Sequence, residues 1–324
     1  MLGADHMKIT VILCTYNRCQ SLAKALDSVA AQTFSEPAEW EVLVVDNNSR
    51  DQTREVVDDF CRRYPGRFRY LFEPHQGKSY ALNSGIREAR GDVLAFTDDD
   101  VTVQPTWLQN LTAHLEDGHW AGAGGRTRPA AVITPPRWLA LNTHAGMLYA
   151  HFDLGDQPLQ LDRPPYGANM AFRKEMFERH GGFHTDLGPG PPSRPIHRFG
   201  EDTEFGYRLF AAGQKLRYEP SAVVYHAVPL ERIRKQHFLA SSFELGRYSI
   251  VQGGKRPDIW GISRKYFSIP HKLGVMLVQT LQWMMTWNPR QRFDRRCLVW
   301  TSAGYLAETL RPSVERKSEV SIAP

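Results

Sequence analysis

The sequence predicts an α/β fold: a Rossmann-like, mostly parallel sheet flanked by helices and followed by a C-terminal helical extension. Two observations support this prediction. Short apolar runs typical of buried strands alternate with segments whose apolar residues recur at helical spacing. Polar and acidic residues follow three of those runs, at the carboxyl ends of strands, where parallel sheets bind their ligands. We therefore expect a ligand crevice along that edge of the sheet.

The elements follow from these two periodicities in chain order. Strands are predicted at Lys8–Cys14, Glu41–Val45, Phe68–Phe72 and Val93–Thr97. Helices are predicted between them at Ser21–Ala31, from about Asp51 to Tyr64, and at Ser79–Arg90. A later helix is expected from Asp202 to Ala212 and a later strand at Ala222–Tyr225. Strands that alternate with helices in this way favour parallel pairing with helical crossovers.

Composition and charge place the chain among ordinary globular proteins. It has 324 residues, of which 42% are hydrophobic and 23% charged. The four cysteines lack metal-ligand spacing, and the first ten residues lack the apolar run of a signal peptide, so a cytoplasmic location is expected. Residues 230–300 carry 13 Lys and Arg against 4 Asp and Glu, so the net charge of +5 is concentrated in the C-terminal part.

Three adjacent carboxylates, Asp98 to Asp100, stand at the exit of the fourth predicted strand. Carboxylates this close repel one another, so their clustering favours a bound cation. Oxygen ligands suit Mg²⁺ or Mn²⁺, and such an ion keeps open positions that substrate phosphates fill. The alternative is a solvated turn that caps the following helix, because Asp is common in turns.

Six motifs in one order resemble those of family 2 glycosyltransferases of the GT-A fold. They are Thr15–Arg18, Val44–Ser49, Gly77–Lys78 with Asn83–Ile86, Gly91–Asp92 leading to Asp98–Asp100, Tyr166–Arg173, and Gly200–Asp202. The resemblance covers about Lys8 to His226, which is about two-thirds of the chain. It implies inverting transfer of a sugar from a nucleotide diphosphate donor, usually a UDP-sugar, to a hydroxyl of a glycan or lipid-linked acceptor.

The same resemblance implies how the metal is held. Asp100 binds the metal directly, Asp98 reaches the ribose or a metal-bound water, and His226 is a further ligand. Neutral imidazole suits Mn²⁺ better than Mg²⁺. Side chains of successive extended residues face opposite sides, so Asp99 is expected to point away from its neighbours.

A base must also remove the proton from the acceptor hydroxyl, and the resemblance implies that this base is Asp202. A carboxylate at a helix N-terminus is stabilised as the anion by unpaired backbone N–H groups. Glu201 is then expected to hold the acceptor. The alternative is that both residues only cap the helix.

Donor recognition is assigned by the resemblance to the first two strand ends. The predicted donor-binding residues are Thr15, Tyr16, Asp46, Lys78, Asp98 and Asp99. Asp46 would accept a hydrogen bond from the nucleotide base, which Thr15 and Tyr16 would line. An acidic residue after a second strand also occurs in dinucleotide-binding folds, but the first turn here lacks the glycines that such folds need.

The predicted boundaries give a catalytic domain at residues 7–228, with a nucleotide-binding half at about 7–100 and an acceptor-binding half at about 101–228. Residues 229–310 form a basic, amphipathic helical extension, and residues 311–324 a flexible tail. Residues 1–6 are assigned no function, because Met7 would serve equally well as the natural start. The segment Gly188–Pro195 is predicted to be a loop, either a lid that excludes water or a passive connection.

The extension leaves two interpretations open. Its apolar segment Leu273–Trp287 is shorter than the roughly 20 residues that cross a bilayer. Residues 265–296 either lie on an anionic membrane surface, at the inner face of the cell membrane, or form a buried helix or a homodimer contact.

Two other function classes account for fewer of the motifs, whereas a third accounts for the same ones. A catalytically silent nucleotide-binding scaffold would retain the same residues. A nucleotidyltransferase would need a glycine-rich N-terminal loop that the sequence lacks. A nucleic-acid partner is not expected, because no base-stacking or zinc motif accompanies the basic residues.

Overall fold

The computed structural model describes residues 7–130, 135–141, 143–148, 151–190, 200–227, 232–253 and 264–310. Predicted features at residues 1–6, at 311–324 and at positions 191–195 of the predicted loop lie outside this set. The chain divides into two compact units, Met1–Arg234 and Lys235–Pro324. The first unit therefore extends six residues past the predicted domain end at 228.

The first part of the chain alternates strand and helix as predicted. The strands are β1 (Ile9–Thr15), β2 (Trp40–Asp46), β3 (Phe68–Phe72) and β4 (Val93–Asp98). The helices between them are α1 (Cys19–Ala30), α2 (Thr53–Arg63) and α3 (Lys78–Glu88). These bounds differ from the sequence predictions by two residues at most, so the prediction of an α/β fold is confirmed.

The remainder of the first unit mixes shorter elements. They are β5 (Val101–Val103), α4 (Trp107–Thr112), β6 (Gly122–Pro129), α5 (His144–Met147), β7 (Leu159–Gln160), β8 (Met170–Arg173), α6 (Glu175–His180), α7 (Glu201–Ala211) and β9 (Leu216–His226). The motif at Tyr166–Arg173 is a strand only in its second half.

The nine strands found in the described ranges form one sheet in the order β3-β2-β1-β4-β8-β6-β9-β5, with β7 paired to β9. Strands β1 to β4 pair in parallel, whereas β8 is antiparallel to both of its neighbours. The chain moves outward from β1 to β2 and β3 and then returns to β4 on the other side of β1. A crevice opens at such a reversal of strand order, beyond the carboxyl ends of the strands.

Apolar side chains cover both faces of the sheet. Alternate residues of β1 project to opposite faces, so Val11 and Leu13 pack with α1 through Leu22 and Leu26, while Ile12 packs on the other face. That second face also holds Leu82 of α3 and an aromatic cluster that includes Phe96, Phe172, Phe177 and Phe205. Because both faces are buried, the central strands read as continuous apolar runs.

The second unit consists, within the described residues, of α8 (Lys235–Gly253), α9 (Arg264–Met285) and α10 (Pro289–Leu310). Helix α10 packs against both others. Gly304 allows its close approach to α8, since a Cβ there would lie 1.9 Å from the carbonyl oxygen of Phe243. An ion pair at 2.9 Å joins Arg247 to the largely buried Glu308. None of the helices described in the chain combines the length and apolar character that a membrane crossing requires.

Candidate active site

The carboxyl ends of β1, β2 and β4 meet at one edge of the sheet. The register aligns Thr15 with Asp46 and Cys14 with Asp98. The residues predicted for donor and metal binding on these strands therefore lie at the same level of neighbouring strands.

An acidic group with one histidine forms where β4 ends. Oxygen atoms of Asp98 and Asp100 and a ring nitrogen of His226 all lie within 4.8 Å of one another. Strand β9 brings His226 there, because it pairs with Val101 of β5, the residue after Asp100. The His226 Nε2 atom is 3.4 Å from Asp100 Oδ1, and its buried Nδ1 has no partner among the described residues.

Asp99 lies outside this group but close to it. Strand β4 ends at Asp98, so the alternation used to predict its direction does not extend to Asp100. The Arg18 Nη1 donates to both Asp99 Oδ1 at 2.9 Å and Asp100 Oδ2 at 2.7 Å. The Thr15 hydroxyl also donates to Asp99, at 2.7 Å. Asp99 is only 5% exposed, and burial raises its pKa to about 6, although Arg18 opposes the rise.

Lys78 provides a second cation at the same edge. It begins α3 directly after Gly77, whose φ of 144° favours glycine. Its Nζ is 2.6 Å from Asp98 Oδ1 and 3.7 Å from Glu201 Oε1. Burial acts to lower the pKa of Lys78, but the carboxylates of Asp98 and Glu201 outweigh it and raise that pKa above its ordinary value.

The predicted acidic pair begins α7. Glu201 is 4% exposed, and burial raises its pKa to about 7, with Lys78 acting in the opposite direction and Asp202 in the same one. The Asp202 carboxylate accepts hydrogen bonds from the backbone N–H of Gly167 at 2.7 Å and of Thr203 at 2.6 Å. A Cβ at Gly167 would lie 3.1 Å from Asp202 Oδ2, so glycine allows this close approach.

A narrow crevice joins the two groups. Its lining is Cys14, Lys78, Leu82, Phe96, Thr97, Asp98, Gly167, Met170, Glu201 and Asp202. Asp98 belongs both to this crevice and to the group with Asp100 and His226. The structure therefore brings the predicted metal ligands, the predicted donor-binding residue Lys78 and the acidic pair close to one another.

The residues predicted to line the nucleotide base differ in how accessible they are. Asp46 is buried and accepts hydrogen bonds from the Tyr70 hydroxyl and the backbone N–H of Ser49, both at 2.8 Å. Burial and the neighbouring Asp46 raise the pKa of Tyr70 to about 12. Tyr16 is 44% exposed. Tyr16 is therefore open to a ligand, whereas Asp46 already has protein partners.

Sequence reasoning assigned no role to two residues that organise the site. Arg18 was part of the first motif, but only the turn after β4 shows which carboxylates it contacts. Asn169, two residues after Gly167, is fully buried and donates to the carbonyls of Arg126 at 3.0 Å and Ala222 at 2.9 Å. Asn169 was part of the motif Tyr166–Arg173, but that motif gave no signal of these contacts.

The nine-stranded sheet of the described residues, with helices on its faces and acidic residues at one edge, places the chain in the GT-A fold class. The fold is similar to that of a solved mannosyltransferase, PcManGT from Pyrobaculum calidifontis in complex with GDP-Man and Mn²⁺. The TM-score is 0.61 at 20% identity, over 93% of this chain and 87% of that one. At this level of identity the likeness concerns the fold alone.

The sequence identifies the family within this class. The model of glycosyl transferase family 2 matches residues 10–181. The succinoglycan biosynthesis protein ExoM of Rhizobium meliloti (strain 1021) is 31% identical over 234 residues, which are 70% of this chain and 69% of that protein. The chain therefore belongs to glycosyl transferase family 2.

A second relative extends the comparison. The glucosyl-dolichyl phosphate glucuronosyltransferase of Haloferax volcanii is 32% identical over 185 residues, which are 56% of this chain and 58% of that protein. Family membership confirms the prediction of a glycosyltransferase that uses a nucleotide-sugar donor. It favours this activity over the nucleotidyltransferase and nucleic-acid-binding alternatives.

Proposed function

We propose that the protein transfers a sugar from a UDP-sugar to a hydroxyl of a glycan or lipid-linked acceptor, with inversion at the anomeric carbon. The observation that carries the proposal is the single crevice lined by Asp98, Lys78, Glu201 and Asp202. Groups suited to a diphosphate and a group suited to accepting a proton line the same space there.

The residues present fit a divalent metal. Asp98, Asp100 and His226 offer two oxygens and one nitrogen within 4.8 Å of one another. The nitrogen favours Mn²⁺ over Mg²⁺, although both accept the carboxylates. When bound, the ion would supply charge neutralisation for the leaving diphosphate. Lys78, which already faces Asp98, would add a positive charge to the same phosphates.

Asp202 is proposed as the general base. Its carboxylate is oriented by the backbone N–H groups of Gly167 and Thr203, and a carboxylate at a helix N-terminus is stabilised as the anion. It would take the proton from the acceptor hydroxyl as the oxygen attacks the anomeric carbon and the bond to the diphosphate breaks. Attack on the face opposite the diphosphate gives inversion.

Glu201 is proposed to hold the acceptor. With its pKa raised to about 7, its carboxyl group is partly protonated at neutral pH, and it can then donate or accept a hydrogen bond to a sugar hydroxyl. Thr15, Tyr16 and Asp46 are proposed to line the base, with Tyr16 stacking on it. Because Tyr70 and Ser49 already bind Asp46, the base would add a further hydrogen bond to that carboxylate.

The proposed roles are tested by Asp202→Asn. We expect the turnover number to fall about 10²–10⁴-fold, because the amide cannot take a proton, while UDP and Mn²⁺ bind as in the parent protein. Turnover is measured by UDP release with each candidate donor, and binding by calorimetric titration with UDP and Mn²⁺. Glu116→Gln, at an exposed position, is the matched control.

Three results would overturn a part of the proposal. Undiminished transfer by the Asp202→Asn variant would remove Asp202 as the base. Binding of UDP without metal-dependent UDP release by the parent protein, with any donor, would favour a catalytically silent scaffold. If the same calorimetric titration showed binding of GDP and not of UDP, the proposed donor would be a GDP-sugar instead of a UDP-sugar.

A further inference from the structure

Helix α9 of the second unit exposes an apolar face. Leu277, Val278, Leu281, Met284 and Met285 are between 51% and 76% exposed, and Trp287, just past the helix, is 96% exposed. The helical residues recur at spacings of three and four, so they share one side. Large apolar side chains grouped in this way mark an interaction surface rather than scattered surface residues.

The opposite side of α9 packs on α10 and includes polar side chains. The Ser302 hydroxyl of α10 donates to the Gln279 side chain at 2.8 Å, and Thr286 is buried. The Arg296 guanidinium lies over the Trp283 ring at 5.5 Å. The helix therefore places part of its polar surface against α10, while the large apolar side chains of Leu277, Leu281 and Met285 stay exposed.

The charged side chains near this face in the sequence are all basic. Residues 259–293 contain no Asp or Glu, and they include Lys272, Arg290 and Arg292. Arg290 and Arg292 are exposed in the first turn of α10, directly after Trp287. Arg295 of α10 joins this helix to the end of α9, since it donates to the carbonyl of Gln282 and to the hydroxyl of Thr286.

We propose that this face of α9, with Trp287 and the two arginines, docks on the surface of an anionic lipid bilayer. The apolar side chains would enter the boundary between headgroups and acyl chains, with Trp287 at headgroup level. Arg290 and Arg292 would contact lipid phosphates. The helix would lie along the surface, so the proposal needs no membrane-spanning segment. It does not depend on the proposed function.

Charge complementarity favours lipid over a second copy of the chain. A two-fold contact through this face would place the same face against itself. The acid-free stretch would then meet its own cations, with no carboxylate from residues 259–293 to pair with them. An anionic bilayer supplies that negative charge.

Flotation of the full chain with vesicles tests the proposal. We expect binding to vesicles of phosphatidylcholine with phosphatidylglycerol, and weak binding to phosphatidylcholine alone. Leu277→Gln/Leu281→Gln/Met285→Gln should weaken binding more than about tenfold, because less apolar surface leaves water. Arg290→Gln/Arg292→Gln should weaken it about fivefold for each charge removed. Leu310→Gln, at a position 63% exposed on α10, should bind like the parent.

Two further measurements distinguish docking on lipid from a contact between two copies of the chain. Brominated lipids should quench the tryptophan emission of the parent more than that of Trp287→Phe. Light scattering should give the same molar mass for the parent and the triple variant. Equal binding to both kinds of vesicle, no binding at all, or a dimer that the triple variant dissociates would each overturn the proposal. None of these readouts uses sugar transfer, so failure here would leave the proposed function standing.

Discussion

Arg18 binds the carboxylates of two adjacent residues, Asp99 and Asp100, with one Nη atom. Lys78 binds the third carboxylate of the run, Asp98. The side chains that would meet a metal and a diphosphate thus already carry partners of opposite charge. This pairing offsets the repulsion that three adjacent carboxylates would otherwise produce.

Removal of Asp100, one of the proposed metal ligands, should strongly weaken metal binding. We expect Asp100→Ala to weaken Mn²⁺ affinity about a hundredfold or more, because one of three ligand atoms is lost and His226 loses its neighbour. Calorimetric titration with Mn²⁺, with and without UDP, measures the effect. Glu116→Ala serves as the control, and parent-like Mn²⁺ affinity in Asp100→Ala would rule out the proposed ligand set.

The raised pKa of Glu201 predicts a pH-dependent stability. The folded chain holds this proton up to about pH 7, whereas the unfolded chain releases it near pH 4.5. The folded form therefore binds more protons between these values, and its free energy of unfolding falls as pH rises through them. Glu201→Gln lacks this loss, so above pH 7 it should gain about 1–3 kcal/mol relative to the parent.

Urea unfolding of parent and Glu201→Gln on both sides of that pH range measures the difference. The gain should be small below pH 4.5, where the parent carboxyl is protonated in both states. A gain that is the same at both pH values would mean that burial of the charged form is not its cause.

At the residue scale, the motifs predicted which residues share the site, because chemistry fixes their types, while the roles of these residues stay predictions. Asp98, Asp202 and Lys78 were assigned from motifs, and they line one crevice. The contact of Arg18 with both Asp99 and Asp100 could not be predicted, because it depends on a turn whose backbone leaves the strand alternation.

At the scale of elements, Asn169 joins three segments of the first unit. Besides its bonds to β6 and β9, its Oδ1 accepts from the buried Trp107 Nε1 at 2.8 Å. The register of β6 against β9 shifts between Gly125 and Arg126, and Asn169 satisfies carbonyls at this irregularity. Each of these buried groups would lose its hydrogen bond to the amide if the side chain were removed.

We therefore expect Asn169→Ala to lower the free energy of unfolding by about 3 kcal/mol, since it removes three buried hydrogen bonds. Asn110→Ala is the control. Asn110 also donates to a carbonyl, that of Ser221, but in a more exposed setting, so its loss should cost less than about 1 kcal/mol. Similar urea midpoints for the two variants would contradict this role of Asn169.

Elements differed in how far the sequence could predict them. Strands β1, β2 and β4 were predicted closely because both of their faces are buried and most of their side chains are apolar. Strand β3, at the edge of the sheet, is only partly buried. Strand β6 was not predicted, because Gly122–Pro129 contains three glycines and two arginines. Its strand conformation depends on pairing with β8 and β9, and a Cβ at Gly125 would lie 2.2 Å from the carbonyl oxygen of Ala222.

At the scale of the whole molecule, the two units should respond differently to ligand. All proposed ligand contacts lie within Met1–Arg234. UDP with Mn²⁺ at about 100 times its dissociation constant should stabilise that unit by about 2.7 kcal/mol. Differential scanning calorimetry should show one transition raised and the other unchanged, with EDTA reversing the shift. A single transition that shifts as a whole would mean that the two units unfold together.

The antiparallel strand β8 also has a consequence for motion. Its main-chain hydrogen bonds attach it on one side to β4, the strand that ends at Asp98, and on the other side to β6. The two predicted halves of the first unit are therefore one continuous ladder and not two bodies joined by a hinge. Bending one half against the other would break that ladder, so the halves cannot close on substrate as a clamshell. Rearrangement during turnover must come from side chains and from segments outside the sheet.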